Sequence, residues 1–160
     1  PDSFRLPLFA TEKSEGEEGS IMAEIQGASG RLEDLPLHNA SALAPGVIKR
    51  IVFGPGQHWD DYVVRYFILP PGESIPPHTH EWDHFVVAVK GHGQVTVEGV
   101  PHDLPELSWG HVPPGVEHVF ANVGDTDFAF FCIVPTHGDP HAKKTRMRQD
   151  RADRKERESS

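Results

Sequence analysis

His78-Thr79-His80-Glu81-Trp82-Asp83-His84 places three imidazoles within seven residues, and a fourth, His118, follows the turn-forming Pro113-Pro114-Gly115. Imidazole is the commonest metal-binding side chain at neutral pH, so this crowding reads as one metal site. His78 and His80 stand two residues apart, and in an extended strand both side chains point to one face. No Ser/His/Asp arrangement, phosphate loop or CxxC motif competes with these histidines elsewhere in the chain.

On both sides of this run the chain breaks into short β-rich segments cut by Gly and Pro. Residues 47–53 end at Gly54-Pro55-Gly56, and residues 62–69 end at Pro70-Pro71-Gly72. Residues 85–89 end at Lys90-Gly91, and residues 94–98 end at Gly99. Residues 116–123 end at Gly124-Asp125, and residues 128–134 end at Pro135. Six or more short strands with turn signals about every ten residues predict an all-β sandwich or barrel. The segment Phe128-Ala129-Phe130-Phe131-Cys132-Ile133-Val134 is apolar on both faces, whereas a strand facing water on one side should alternate. Either a partner subunit or the N-terminal arm covers it, or the strand lies deep in the sandwich; a homodimer is the expectation.

The 160 residues suit one domain with tails. We divide them into an N-terminal arm (1–45), a β-barrel (46–141) and a charged C-terminal tail (142–160). In the arm, Phe4, Leu6, Leu8 and Phe9 precede a polar run from Thr11 to Ser20. They could lie along the body or a partner subunit, or form a loose end. The tail is rich in helix formers, with i,i+4 pairs expected for Asp150 with Arg154 and Asp153 with Arg157. Met147 is its one sizeable apolar side chain, so the helix would be marginal alone.

Net charge is −9, unevenly spread. Eight basic and four acidic residues give residues 142–160 a charge of +4. Seven basic and twenty acidic residues leave −13 for residues 1–141, which argues against nucleic-acid binding by the body. The basic tail could touch nucleic acid or dock on the acidic body, and its interleaved carboxylates favour docking. No apolar run approaches the ~20 residues that span a bilayer, and no charged-then-apolar start suggests a signal peptide. Cys132 is the one cysteine, so an intrachain disulfide is excluded and a cytoplasmic location is expected.

Two spacings carry a family resemblance. Gly72-x5-His78-x-His80-x3-His84-x6-Gly91 is similar to the first motif of the cupins, with His84 where most have Glu. Pro113-x-Gly115-x2-His118-x3-Asn122 is similar to the second. The resemblance spans residues 46–135 and is closest to small bacterial cupins with four histidines. It departs at Leu107, where the second motif usually opens with Gly; Gly110 is a candidate to make that turn instead. The resemblance implies an all-β, cupin-type jelly-roll β-barrel (double-stranded β-helix). It implies His78, His80, His84 and His118 as ligands of one divalent transition metal per chain. The open alternative is that Glu81 or Asp83 enters and His84 stands behind. All-nitrogen ligation favours Fe, Co, Ni, Cu or Zn over Mg and Ca. Fe or Mn would serve in function, with Ni, Zn, Co or Cu present as purified. Four neutral imidazoles leave a divalent ion at +2, which attracts an anionic small-molecule substrate to up to two open positions.

The function so implied is a metal-dependent oxygenase, a dioxygenase acting on a small enolisable or phenolic compound. An isomerase, lyase or epimerase and a non-catalytic binding module are the alternatives. Residues 1–45 show no helix-turn-helix pattern, and storage cupins usually have two barrels, so neither of those roles is expected. Candidate pocket residues are Tyr66, Phe67, Trp82, Phe85, Val87, Trp109, Phe120, Phe128 and Phe130. Arg65 either points inward to grip an anionic substrate or outward to water. His38, His58, His92, His102, His111, His137 and His141 read as surface or hydrogen-bonded side chains. Gly72, Gly91, Gly115 and Asn122 read as turn residues.

Overall fold

Residues 27–159 are described by a computed structural model, so Phe4, Leu6, Leu8, Phe9 and the polar run after them lie outside the described residues. The strands are β1 (Leu37–His38), β2 (Ile48–Phe53), β3 (Tyr62–Leu69), β4 (Ser74–His78) and β5 (His84–Lys90). They continue with β6 (His92–Val97), β7 (Val100–Pro105), β8 (Trp109–Val112), β9 (His118–Asn122) and β10 (Phe128–Pro135). One sheet has the order β1-β2-β3-β10-β5-β8 and the other β4-β9-β6-β7, with antiparallel pairing throughout. The architecture is a jelly roll whose ladders form two sheets and not one closed ring.

The six segments expected from the sequence are the six interior strands. The four that were not expected, β1, β4, β7 and β8, are the four sheet edges. Edge strands tolerate residues that interior strands exclude, because half of their backbone groups need no ladder partner. Hence β4 carries Pro76 and Pro77, and β7 carries Pro101 and Pro105.

Alternation aims one set of side chains at the core. Val63, Phe67 and Leu69 of β3, Val86 and Ala88 of β5, Phe120 of β9, and Phe128, Phe130 and Val134 of β10 are buried together. The Phe130 ring lies 4.9 Å from Phe128 and 5.5 Å from both Phe67 and Phe120, filling the space between the sheets. The opposite face of β10 carries Phe131 and Ile133, both half-buried. Register places Tyr66, Phe131, Val87 and Trp109 in one row across four strands, with Ile133, Phe85 and His111 in the next. Tyr66, Phe85, Val87 and Trp109 are thus on the outer face of the large sheet and do not line its interior, contrary to their expected place in a pocket.

Gly72, Gly91 and Gly115 take positive φ, as expected, and at Gly91 a Cβ would stand 2.3 Å from the carbonyl oxygen of Asp127. Leu107 does what a glycine usually does. Its φ is +62°, its N–H donates to the Ala88 carbonyl, and its side chain is 82% exposed. Gly110 is not among the positive-φ residues, so it does not take over that turn. Left-handed backbone costs a residue with a Cβ about 1–2 kcal/mol, and glycine's extra freedom when unfolded returns part of that difference. Leu107→Gly is therefore expected to stabilise the fold by about 0.5–1 kcal/mol and raise Tm by about 2–3 °C in a thermal melt. An unchanged or lower Tm would show that the exposed leucine makes contacts worth its strain.

Helix α1 (Pro140–Ser159) follows β10 after a 3-10 turn, Thr136–Gly138. Asp139 caps it: Oδ1 accepts the N–H groups of His141 (3.0 Å) and Ala142 (3.1 Å), and Pro140 opens the first turn. Ala142 is buried, whereas residues 150–159 are exposed. The i,i+4 pairs present are Arg146 with Asp150 and Arg154 with Glu158, in place of the two expected, and Arg146 also reaches Asp60. No helix among the described residues is long and apolar enough to cross a membrane.

Candidate metal centre

His78 ends β4 and His118 opens β9, and the two are direct cross-strand neighbours. His84 opens β5, and His80 lies in the connection between β4 and β5. These positions come from three strand ends and one short connection at the same end of the core. Their rings converge: His78 and His118 lie 4.1 Å apart between centroids, His80 and His84 4.3 Å, and His80 and His118 4.8 Å. One ring nitrogen from each histidine lies within 4.8 Å of the others. Two imidazole nitrogens on opposite sides of one ion sit about 4.2 Å apart at ordinary bond lengths, so the four fit a single metal with slight contraction.

The hydrogen bonds support the same assignment. Nδ1 of His78 meets the Pro76 carbonyl at 2.8 Å, and Nδ1 of His118 meets the Val116 carbonyl at 3.0 Å. Nδ1 of His84 meets the Cys132 sulfur at 3.3 Å. An N–H given to an acceptor at Nδ1 leaves the lone pair on Nε2, which is how proteins orient metal-binding histidines. Nε2 of His118 is enclosed without any hydrogen-bond partner, and both ring nitrogens of His80 are enclosed as well. Buried polar atoms of this kind are costly unless something else, such as an ion, satisfies them.

Burial pushes His84 far below the ordinary imidazole range, and the nearby Arg65 guanidinium and the other histidines push it further. Burial likewise lowers His118 to about 4, against a raising contribution from the Val116 carbonyl, and burial lowers His80. All three are neutral at pH 7, the state in which a lone pair is available to a metal. Neither alternative carboxylate belongs to the cluster: Asp83 pairs with His111 at 2.7 Å, and Glu81 is exposed. None of the other seven histidines joins it either.

Aromatic rings enclose the cluster. Below it, Phe120 stacks on His84 at 6.0 Å and leads into the Phe130 stack. Trp82 lies flat on His80, centroids 4.4 Å apart and planes 4° apart, and His137 meets Trp82 edge-on. Gly138 makes room for this, since a Cβ there would stand 2.7 Å from the indole nitrogen. His84 and His118 are buried and His78 and His80 only partly so, which means that the site meets solvent on the side of His78 and His80.

A chain of buried polar groups runs from His84 away from the site. Arg65 points inward, 5.3 Å over the Phe67 ring, but not toward an open pocket. Its Nη2 donates to Cys132 Sγ (3.0 Å) and its Nη1 faces Asp139 Oδ2 (3.4 Å). Lys49 donates to the same carboxylate oxygen at 2.5 Å. Arg65 thus takes the inward of its two open orientations but is not free to grip a substrate, because its carboxylate partner is internal. Burial opposes ionisation of Asp139, but Lys49 and Arg65 outweigh it and hold the carboxyl below its usual value. Burial lowers Lys49 despite Asp139 and pushes the Cys132 thiol up despite Arg65. Sequence reasoning missed Asp139, although Asp139-Pro140 is a legible N-cap followed by an N1 proline.

Residues 65–134 match the cupin domain family model. The dimethylsulfoniopropionate lyase DddW of Ruegeria pomeroyi is 27% identical over 88 residues, which cover 54% of this chain and 58% of that enzyme's length. Among solved structures, a cupin 2 domain-containing protein from Halorhodospira halophila is similar at 28% identity and a TM-score of 0.52, covering 54% of this chain and 62% of that one. The polyketide cyclase RemF from Streptomyces resistomycificus shares the fold, with a TM-score of 0.62 at 20% identity over 69% of this chain and 80% of that one. Both histidine motifs thus fold to one end of a jelly roll, within the residues 65–134 that match the cupin domain model, and bring together a four-histidine cluster that could hold a metal.

Proposed function

We propose that this chain is a metal-dependent cupin enzyme, an oxygenase acting on a small enolisable or phenolic compound, with His78, His80, His84 and His118 holding one divalent transition metal. The observation that carries this reading is the convergence of four imidazoles with no carboxylate among them. When bound, the metal supplies Lewis acidity and, as iron or manganese, redox chemistry toward dioxygen. An all-imidazole set leaves the ion's charge uncompensated, which favours an anionic substrate such as an enolate or catecholate. The protein's own part is to fix the imidazoles through their Nδ1 contacts and to keep water from the buried side with Phe120 and Phe130. Trp82 covers one face of His80, and substrate enters on the partly buried side of the site, where His78 and His80 lie.

Anaerobic loading with Fe(II), followed by oxygen-electrode assays on a panel of β-diketones and catechols, tests the reading. Uptake that requires both iron and substrate is expected. No consumption with any member of the panel would overturn it. Resemblance to the Ruegeria pomeroyi lyase supports a second reading, lyase or isomerase chemistry in which the metal only polarises an oxygen. Equal turnover with zinc would favour it. We further propose that the chain acts as a homodimer in a cytoplasmic setting. The outer apolar rows of Phe131, Val87 and Trp109 with Ile133 and Phe85 support the dimer, and light scattering is expected to give twice the chain mass. A monomer mass would contradict it.

A further inference from the structure

We propose that Cys132 and Arg65 are positioning residues for His84, fixing its imidazole by a hydrogen-bond chain that ends at the cap of helix α1. The inference rests on the reading of the four histidines as a metal centre. Three of the four imidazoles have an acceptor at Nδ1, but only His84 relies on a side chain for it. Its contact is Cys132 Sγ, 3.3 Å away and from the neighbouring strand, which is the acceptor when His84 carries its proton on Nδ1. A thiol sulfur has two lone pairs, and here it meets two N–H groups, His84 Nδ1–H on one side and Arg65 Nη2–H at 3.0 Å on the other.

Arg65 is placed in turn by two anchors. Its Nη1 faces Asp139 Oδ2, and its guanidinium lies over the Phe67 ring. Asp139 spends its other oxygen on the first turn of α1 and shares Oδ2 with Lys49. Every member of the chain is buried, so water does not substitute for a missing partner. His84 is also the position where the resemblance expects a carboxylate. A carboxylate can bind a metal through either oxygen, but an imidazole must present Nε2 in the right tautomer. The sulfur supplies that requirement, because the hydrogen bond at one ring nitrogen sets which nitrogen carries the proton.

The test compares wild-type protein with Cys132→Ala and Cys132→Ser. In metal-free protein, long-range proton–nitrogen NMR reads the tautomer of His84. Wild type is expected as the Nδ1–H form, Cys132→Ala as a mixture with the Nε2–H form, and Cys132→Ser, which keeps an acceptor, close to wild type. Cobalt(II) titration followed in the visible region is expected to show affinity weakened about 10–100-fold in Cys132→Ala, with an altered ligand-field spectrum, and largely restored in Cys132→Ser. A packing role alone would move neither the tautomer nor the spectrum, and circular dichroism checks that each variant is folded. An unchanged tautomer and unchanged cobalt affinity in Cys132→Ala would overturn the inference. Wild-type protein that takes up no cobalt would overturn the metal-centre reading instead, and the tautomer comparison would still decide the role of Cys132.

Discussion

Asp139→Ala is expected to cost about 3–5 kcal/mol of folding stability, the range for removing one partner of a buried ion pair. The carboxylate is fully buried and is the anion for two buried cations, Lys49 and Arg65. Its removal strands both charges and also uncaps helix α1, a loss of about 1 kcal/mol in its own right. The combined effect would lower Tm by roughly 10 °C. Urea unfolding should show the midpoint falling at an unchanged m-value. Adding Lys49→Met should recover part of the loss, because one stranded cation is gone, and the two changes should be strongly non-additive. A loss under about 1 kcal/mol would mean that water reaches the cations once the carboxylate is removed.

His118→Ala is expected to abolish stoichiometric metal binding. His118 is the most buried of the four imidazoles, is the cross-strand neighbour of His78, and has an enclosed Nε2 with no partner. Losing a hydrogen-bond partner of a ligand typically weakens affinity 10–100-fold, and losing the ligand itself should exceed about a hundredfold. The effect has a second readout. A metal present at a hundred times its dissociation constant stabilises the folded state by about 2.7 kcal/mol, so wild type should melt higher with metal than without. The variant should lose that difference. A metal-dependent rise in Tm that survives the substitution would place the ion elsewhere.

Legibility in the sequence followed local patterning. All six interior strands could be read because they must alternate or be wholly apolar, whereas β4 and β7 hide behind prolines that only an edge tolerates. The crowding of the four histidines could be read from spacing, and the resemblance to cupins made them one ligand set. Whether Asp83 would displace His84 could not, since that depends on His111, 28 residues away, which holds the carboxylate. The direction of Arg65 depended on register, and its partners lie 67 and 74 residues further along. Cys132 meets His84 across 48 residues, and no local signal distinguishes such a thiol from any buried cysteine. The same limit misplaced Tyr66, Phe85, Val87 and Trp109: an aromatic in a strand declares burial but not which face it serves. At Leu107 the family pattern asks for glycine, and the backbone keeps the left-handed turn in spite of the side chain.

X-ray absorption on protein purified without a nickel column, together with elemental analysis, decides whether the four histidines hold a metal. About one divalent transition metal per chain is expected, with a shell of nitrogen neighbours at ~2.1 Å and the outer scattering of four imidazoles. No stoichiometric metal in the purified protein or after reloading, or a shell dominated by carboxylate oxygen or sulfur, would contradict it.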